Sequence, residues 1–169
     1  KSTSNIEIIE GTISVINNSS SYGIYNDNIG NIIITNGTLN SNSGNGSERS
    51  DSSKSYGIYN ASTGSIKISG GTINSSCDIT MYQNYYGIYN ANAGNVTISG
   101  GTINSSNNST STYSRGYGIY NTNNGYTEIT GGTIINTNKG SSSYGIGNNG
   151  IIKVTGGSIY SSSTATSNY

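Results

Sequence analysis

Residues 86–106 read YGIYNANAGNVTISGGTINSS, and this stretch decides the fold. It contains three short pieces: Tyr86-Gly-Ile-Tyr-Asn90, Val96-Thr-Ile98 and Thr102-Ile-Asn104. Each of the three is read as alternating with a period of two. A period of two belongs to a strand with one buried face. Gly100 and Gly101 separate the second piece from the third. Glycine accepts backbone angles closed to other residues, so the pair predicts a tight corner.

The same unit recurs along the whole chain. Its glycine–threonine–isoleucine end appears at Gly11-Thr12-Ile13, Gly37-Thr38-Leu39, Gly71-Thr72-Ile73, Gly101-Thr102-Ile103, Gly132-Thr133-Ile134 and Gly157-Ser158-Ile159. Successive copies lie 26, 34, 30, 31 and 25 residues apart. The tyrosine piece appears at Tyr22–Asn26, Tyr56–Asn60, Tyr86–Asn90, Tyr117–Asn121 and Tyr144–Asn148, with Gly147 replacing a tyrosine in the last copy. Fixed motifs at a repeating interval are the mark of a solenoid.

Aligning the copies gives three inward columns. Two come from the middle piece: Ile6, Ile32, Ile66, Val96, Thr127 and Ile152, then Ile8, Ile34, Ile68, Ile98, Ile129 and Val154. The third is Ile13, Leu39, Ile73, Ile103, Ile134 and Ile159. Three strands of about four or five residues, joined by corners, describe one coil. Stacked coils pair each strand in parallel with its equivalent about 4.8 Å away, so six coils make a rod roughly 29 Å long. The expected class is all-β: a right-handed, single-stranded parallel β-helix, or β-solenoid, of about six coils with three short strands each. It forms a single domain over residues 1–169. The period varies because the stretch after the third strand varies, as between Asn40–Ser55 and Ile135–Ser143. Helical repeats are excluded by the alternating isoleucines and by the glycine and β-branched content.

Composition agrees. Charged residues make up 8% of the chain, and the formal net charge is zero. Disordered chains more often carry high net charge and few β-branched or aromatic residues, whereas isoleucine and tyrosine recur throughout here. Zero net charge without Lys/Arg clusters argues against nucleic acid or an anionic membrane as partner. No apolar run reaches the roughly 20 residues of a membrane-spanning helix. The lone cysteine, Cys77, has no partner for an internal disulfide and is expected to be a buried thiol. The chain starts at Lys1 with repeat sequence close behind, the expectation for a processed form or a fragment of a longer repeat protein.

The recurring G-G-T-I and Y-G-I-Y-N signatures resemble right-handed parallel β-helix proteins. They are similar to polymorphic-outer-membrane-protein and autotransporter-type adhesin repeats, with their G-G-A-I and F-x-x-N motifs. They also resemble the I-S-G-G-T-I repeats of large secreted surface proteins from bacteria of low genomic GC content. Tyrosine for phenylalanine and threonine for alanine are departures from the first pattern. The resemblance implies export, a long shaft, and adhesion or surface coating at an extracellular or cell-surface location.

Chemistry is sparse. Parallel β-helices include polysaccharide lyases and hydrolases, whose sites resemble clusters of acids and basic residues on one face. Here Glu7, Glu10, Asp27, Glu48, Asp51, Asp78 and Glu128 are scattered over coils and faces. Glu128 and Lys153 share one outward position in successive coils and predict a surface ion pair. There is no histidine and no metal-ligand spacing. The chain is therefore read as a non-enzyme without cofactor or metal. The run Glu48-Arg49-Ser50-Asp51 lies in the longest loop and is expected to be solvated.

Asn26, Asn60, Asn90, Asn121 and Asn148 hold one register before a turn and predict a structural amide ladder. Thr127, in an isoleucine column, predicts a local defect or a hydroxyl bonded to backbone. If the isoleucine of the tyrosine piece points inward, then Tyr25, Tyr59, Tyr89 and Tyr120 point outward beside Gly23, Gly57, Gly87 and Gly118. That would form a flat aromatic strip next to bare backbone, a candidate surface for a ligand or partner such as a surface glycan or host protein. The opposite choice of face gives the role to Tyr22, Tyr56, Tyr86, Tyr117 and Tyr144. The outward rank Thr12, Thr38, Thr72, Thr102, Thr133, ended by Ser158, raises ice binding as a minor reading. Neither terminus carries a capping helix or polar cap, so the coils are expected to continue into neighbouring sequence or to stack end to end. The leading expectation is an extracellular structural or adhesive scaffold, a cell-surface shaft or filament. A carbohydrate-binding module built on the tyrosine strip is the alternative.

Overall fold

Alternating isoleucines and glycine corners produce one motif repeated along the chain. The computed structural model describes residues 3–44, 53–78, 84–108, 113–140 and 142–164. In chain order the strands are β1 (Ile6–Ile8), β2 (Thr12–Asn17), β3 (Ser21–Asn26), β4 (Ile32–Ile34), β5 (Thr38–Ser43) and β6 (Lys54–Asn60). They continue with β7 (Ile66–Ile68), β8 (Thr72–Cys77), β9 (Asn84–Asn90), β10 (Val96–Ile98), β11 (Thr102–Asn107) and β12 (Arg115–Asn121). The last are β13 (Tyr126–Ile129), β14 (Thr133–Asn138), β15 (Ser142–Asn148), β16 (Ile151–Val154) and β17 (Ser158–Ser163).

Each strand pairs in parallel with its equivalent one coil away. The result is an isoleucine sheet of six strands (β1-β4-β7-β10-β13-β16), a threonine sheet of six (β2-β5-β8-β11-β14-β17) and a tyrosine sheet of five (β3-β6-β9-β12-β15). The chain is an all-β parallel β-solenoid with three strands per coil. Register is set like on like: Ile66 faces Val96, Ile73 faces Ile103, and Ile58 faces Ile88. A slip of one residue would turn every isoleucine outward, which fixes the register.

The second residue of each corner, glycine in all six, has a left-handed backbone, with φ of 94° at Gly11, 77° at Gly71 and 83° at Gly157. No non-glycine residue among those described has positive φ. This is the corner that the paired glycines predict.

The interior divides into two parts. Ile32, Ile58, Ile66, Ile88, Val96, Ile103, Ile119, Ile129 and Ile134 are completely buried, and the columns from all three sheets meet in one continuous core. Each such side chain contributes about 1.5–3 kcal/mol on leaving water, against a backbone ordering cost of about 1–2 kcal/mol per residue. The second part is polar. Strands of the threonine sheet run six residues rather than three, because their inward serines and asparagines find partners. Ser41 donates to Ser21 at 2.8 Å, Ser55 and Ser75 bond at 2.9 Å, and Ser105 donates to Asn136 at 2.9 Å. Buried polar groups are tolerated only when bonded in this way. Serine gives no apolar signal, so the longer strands are invisible to a reading based on isoleucine alone.

The variation in period sits where expected, between the threonine sheet and the next tyrosine strand. Those intervals are 18–20, 44–53, 78–83, 108–114 and 139–141. The last coil is also shortened elsewhere. Five residues, 122–126, separate Asn121 from Thr127, whereas three, 149–151, separate Asn148 from Ile152.

Candidate functional site: a double tyrosine ladder on an asparagine spine

The structure corrects the reading of Tyr-Gly-Ile-Tyr-Asn. Gly23, Gly57, Gly87 and Gly118 do not lie on the outer face beside the tyrosines. A Cβ on Gly57 would sit 2.5 Å from Ile73 Cγ2 and 2.5 Å from the Gly87 carbonyl, so this position points into the core. Ile58, the next residue, is also buried. Two successive inward positions break the alternation, a bulge-like kink repeated in each coil, and glycine inside a strand is its signal. As a result the tyrosines at both ends of Tyr-Gly-Ile-Tyr project from one side. Both alternatives left open by the sequence hold together.

Tyr22, Tyr56, Tyr86, Tyr117 and Tyr144 form one column, with ring centres 4.9, 5.1, 5.4 and 4.8 Å apart and planes within 14° of parallel. Tyr25, Tyr59 and Tyr89 form the second, at 5.3 and 5.1 Å with planes 7° apart. Across the columns the rings meet edge to face: Tyr56–Tyr59 at 81° and Tyr86–Tyr89 at 72°. The pattern is a herringbone, with both favoured aromatic geometries in use. Ring faces are turned toward neighbours along each column, so the strip is not a flat platform of open faces. Tyr56 and Tyr86 are nearly buried, while Tyr25 is 54% exposed.

The herringbone ends in a defect. Gly147 pairs with Tyr120 where the other coils have tyrosine. Tyr120 turns into the vacated space: a Cβ on Gly147 would lie 2.6 Å from its ring. Its plane is tilted 46° from Tyr89 and 33° from Tyr117. Packing also changes the phenols' acidity. Burial, then the neighbouring phenols, pushes Tyr56 and Tyr86 well above the usual tyrosine range, with Arg115 opposing the shift at Tyr86. Tyr59, Tyr89 and Tyr117 are raised for the same leading reason.

Behind the tyrosines runs the asparagine spine. Asn26 Nδ2 donates to Asn60 Oδ1 at 2.9 Å, Asn60 to Asn90 at 2.8 Å, and Asn90 to Asn121 at 3.0 Å. The other amide hydrogen of each goes to the carbonyl four residues on, at Gly30, Gly64, Gly94 and Gly125. Every donor on these four buried amides is used. The final step differs from the expected ladder. Asn121 donates to Thr127 Oγ1 and Thr127 Oγ1 to Asn148 Oδ1, each at 3.4 Å. Thr127 is thus a splice in the spine, bonded to side chains rather than to backbone. In the shortened last turn Asn148 Nδ2 is buried without a partner.

The remaining candidates stay apart. Lys153 Nζ lies 2.9 Å from Glu128 Oε1 on the surface, and that carboxylate raises the lysine's pKa. Asp78 accepts from Asn108 at 2.9 Å. Glu7, Glu10 and Asp27 fall in the first two coils and form no cluster with it; Glu48-Arg49-Ser50-Asp51 lies outside the described residues. Among the described residues no three His, Cys, Asp or Glu side chains could hold a metal. The threonine rank is in register from Thr12 to Ser158. Beside it runs a surface amide ladder that sequence reasoning passed over, Asn104 to Asn74 to Asn40 at 2.9 and 2.8 Å. It also passed over Tyr85, fully buried against Cys77 with its hydroxyl donating to the Thr137 carbonyl at 3.2 Å. Gly116, which lacks a side chain where Tyr85's ring lies, is the sequence sign of that packing.

No family model matches the chain, and neither the curated proteins nor the solved structures yield a match.

Proposed function

We propose that this chain is a shaft module of an extracellular or cell-surface scaffold, with adhesion as the task of the protein that carries it. The observation behind this reading is that, among the described residues, all seventeen strands belong to three in-register parallel sheets. Amide, phenol and isoleucine columns run the same way. Nearly every regular residue maintains the rod, and the acids are dispersed, as suits a spacer rather than a catalyst. The resemblance to autotransporter-type adhesin repeats and to I-S-G-G-T-I surface repeats supports the same reading.

The ends support a partner along the axis. Ile13, Ile152, Val154 and Ile159 stand in core columns yet are 39%, 42%, 49% and 43% exposed, in the first and last coils of the described residues. Neighbouring coils of a longer chain, or a second copy stacked end to end, would bury them. Electron microscopy with size-exclusion chromatography of the chain tests the second case. Filaments lengthening with concentration are expected from stacking, and discrete monomers in both rule it out. Antibody labelling of intact source cells tests location: signal before permeabilisation is expected, and signal only afterwards overturns the reading.

The alternative, a glycan-binding surface, draws on Tyr22 and Tyr25. They lie at the column ends, where one ring face has no further tyrosine against it. A glycan array in which wild type binds and Tyr25→Ala does not would favour it. Indistinguishable blank arrays would end it.

A further inference from the structure

We infer that the exposed tyrosine column is a modification site, at which a one-electron oxidant joins Tyr59 covalently to Tyr25 on one neighbouring coil and to Tyr89 on the other. The inference goes beyond the shaft reading and does not depend on where the protein resides. Tyr25 and Tyr59 are 5.3 Å apart between ring centres with planes 7° from parallel, and Tyr59 and Tyr89 are 5.1 Å apart at 7°. Ring carbons beside the two hydroxyls therefore face each other across one sheet spacing. Rotation about χ2, which is broad for tyrosine, brings them together. Parallel in-register pairing holds both backbones at that spacing throughout. The column is also reachable: Tyr25 is 54% exposed, and Tyr59 and Tyr89 are partly exposed.

The chemistry balances with a haem peroxidase and hydrogen peroxide as oxidant. Each phenol gives up one electron and its hydroxyl proton, and the two electrons and two protons reduce one hydrogen peroxide to two waters. The two phenoxyl radicals pair through ring carbons ortho to oxygen, forming one carbon–carbon bond. The hydrogen on each joined carbon then moves to its oxygen, restoring two phenols. The net change is the loss of two hydrogen atoms per link. Burial raises the pKa of Tyr59, so below that range it enters the reaction as the neutral phenol. A link between coils removes freedom from the unfolded chain in the manner of a disulfide.

The test treats the whole folded chain with horseradish peroxidase and hydrogen peroxide at low protein concentration, then isolates the monomer. Dityrosine fluorescence, a mass loss of two hydrogens per link, and peptides joining Tyr25 to Tyr59 or Tyr59 to Tyr89 are expected. The conservative variant Tyr59→Phe should lose both links while keeping the circular dichroism spectrum of wild type. Tyr160 is an internal control: it is 57% exposed, and its neighbour on the adjacent strand is Ile135 rather than a tyrosine. The proposal is overturned by a monomer without dityrosine. It is equally overturned by links that join Tyr160 as often as the ladder residues, or by an unchanged set of links in Tyr59→Phe.

Discussion

Tyr59 and Tyr89 lie with ring centres 5.1 Å apart and planes 7° from parallel, each at the same place in its own coil. The contact follows from register: a repeat that stacks like on like turns one outward tyrosine into a column. Because the rings are packed, their hydroxyls are hard to ionise. Burial places the pKa of Tyr56, Tyr59, Tyr86, Tyr89 and Tyr117 above the unfolded value of 10.0. A raised pKa contributes stability that is present below pH 10 and lost as pH climbs from the unfolded toward the folded value. Stability should therefore be insensitive to these groups near neutrality and fall steeply above pH 10. Tyrosinate absorbance should rise together with loss of the strand signal in circular dichroism. Full ionisation with the strand signal intact would contradict the packing.

The asparagine spine makes a separate prediction. Asn90 is fully buried; it accepts from Asn60 and donates to Asn121 and to the Gly94 carbonyl. Replacing it with alanine strands several buried groups, each costing about 1–3 kcal/mol. At about 2–4 °C per kcal/mol for a domain of this size, the melting midpoint should drop by several degrees. Asn90→Asp should be worse at neutral pH, since a carboxylate has no hydrogen to donate to Gly94. It should recover partly as the pH falls and the buried carboxyl protonates. Thermal melts at two pH values check both statements.

The kink in the tyrosine strands rests on glycine. In Gly57→Ala the new methyl would lie 2.5 Å from both the Gly87 carbonyl and Ile73 Cγ2. Overpacking of this kind costs about 1–3 kcal/mol. A denaturant titration should show a lower midpoint with an unchanged slope. Wild-type stability in this variant would mean that the position faces solvent after all.

These positions also show what the sequence discloses. The isoleucine columns and the glycine corners were legible because period two and left-handed corners each demand a residue type. The direction of Gly57 was not, because glycine carries no side chain to mark a face. Alternation alone therefore sent Tyr59 outward at the expense of Tyr56, when both project together. Thr127 was seen as anomalous, but its bond to Asn121 spans a turn within one coil, its bond to Asn148 crosses to the next, and both depend on the geometry of the turns. The serine seam and Tyr85 were missed because a buried serine looks like a surface one until its partners are known.

The surface ion pair should matter little. Lys153 and Glu128 are in contact, but their side chains are 55% and 27% exposed. Exposed pairs contribute little, because water and salt screen them. A double-mutant cycle with Lys153→Ala and Glu128→Ala should give a small coupling, shrinking as salt is added. A larger coupling, unmoved by salt, would place the pair in a less solvated setting than its exposure indicates.

Coil-on-coil stacking is the claim on which the rest depends, and one distance tests it. Thr12 and Ser158 begin the first and last strands of the threonine sheet, joined in register through Thr38, Thr72, Thr102 and Thr133. Five steps of about 4.8 Å place their backbones about 24 Å apart. Spin labels at Thr12→Cys and Ser158→Cys, in a Cys77→Ser background, report that distance by pulsed electron paramagnetic resonance. A single narrow population near 24 Å, allowing for the label tethers, is the expected result. A broad distribution, or a distance that does not shorten by one coil step when the second label moves to Thr133→Cys, would contradict the solenoid.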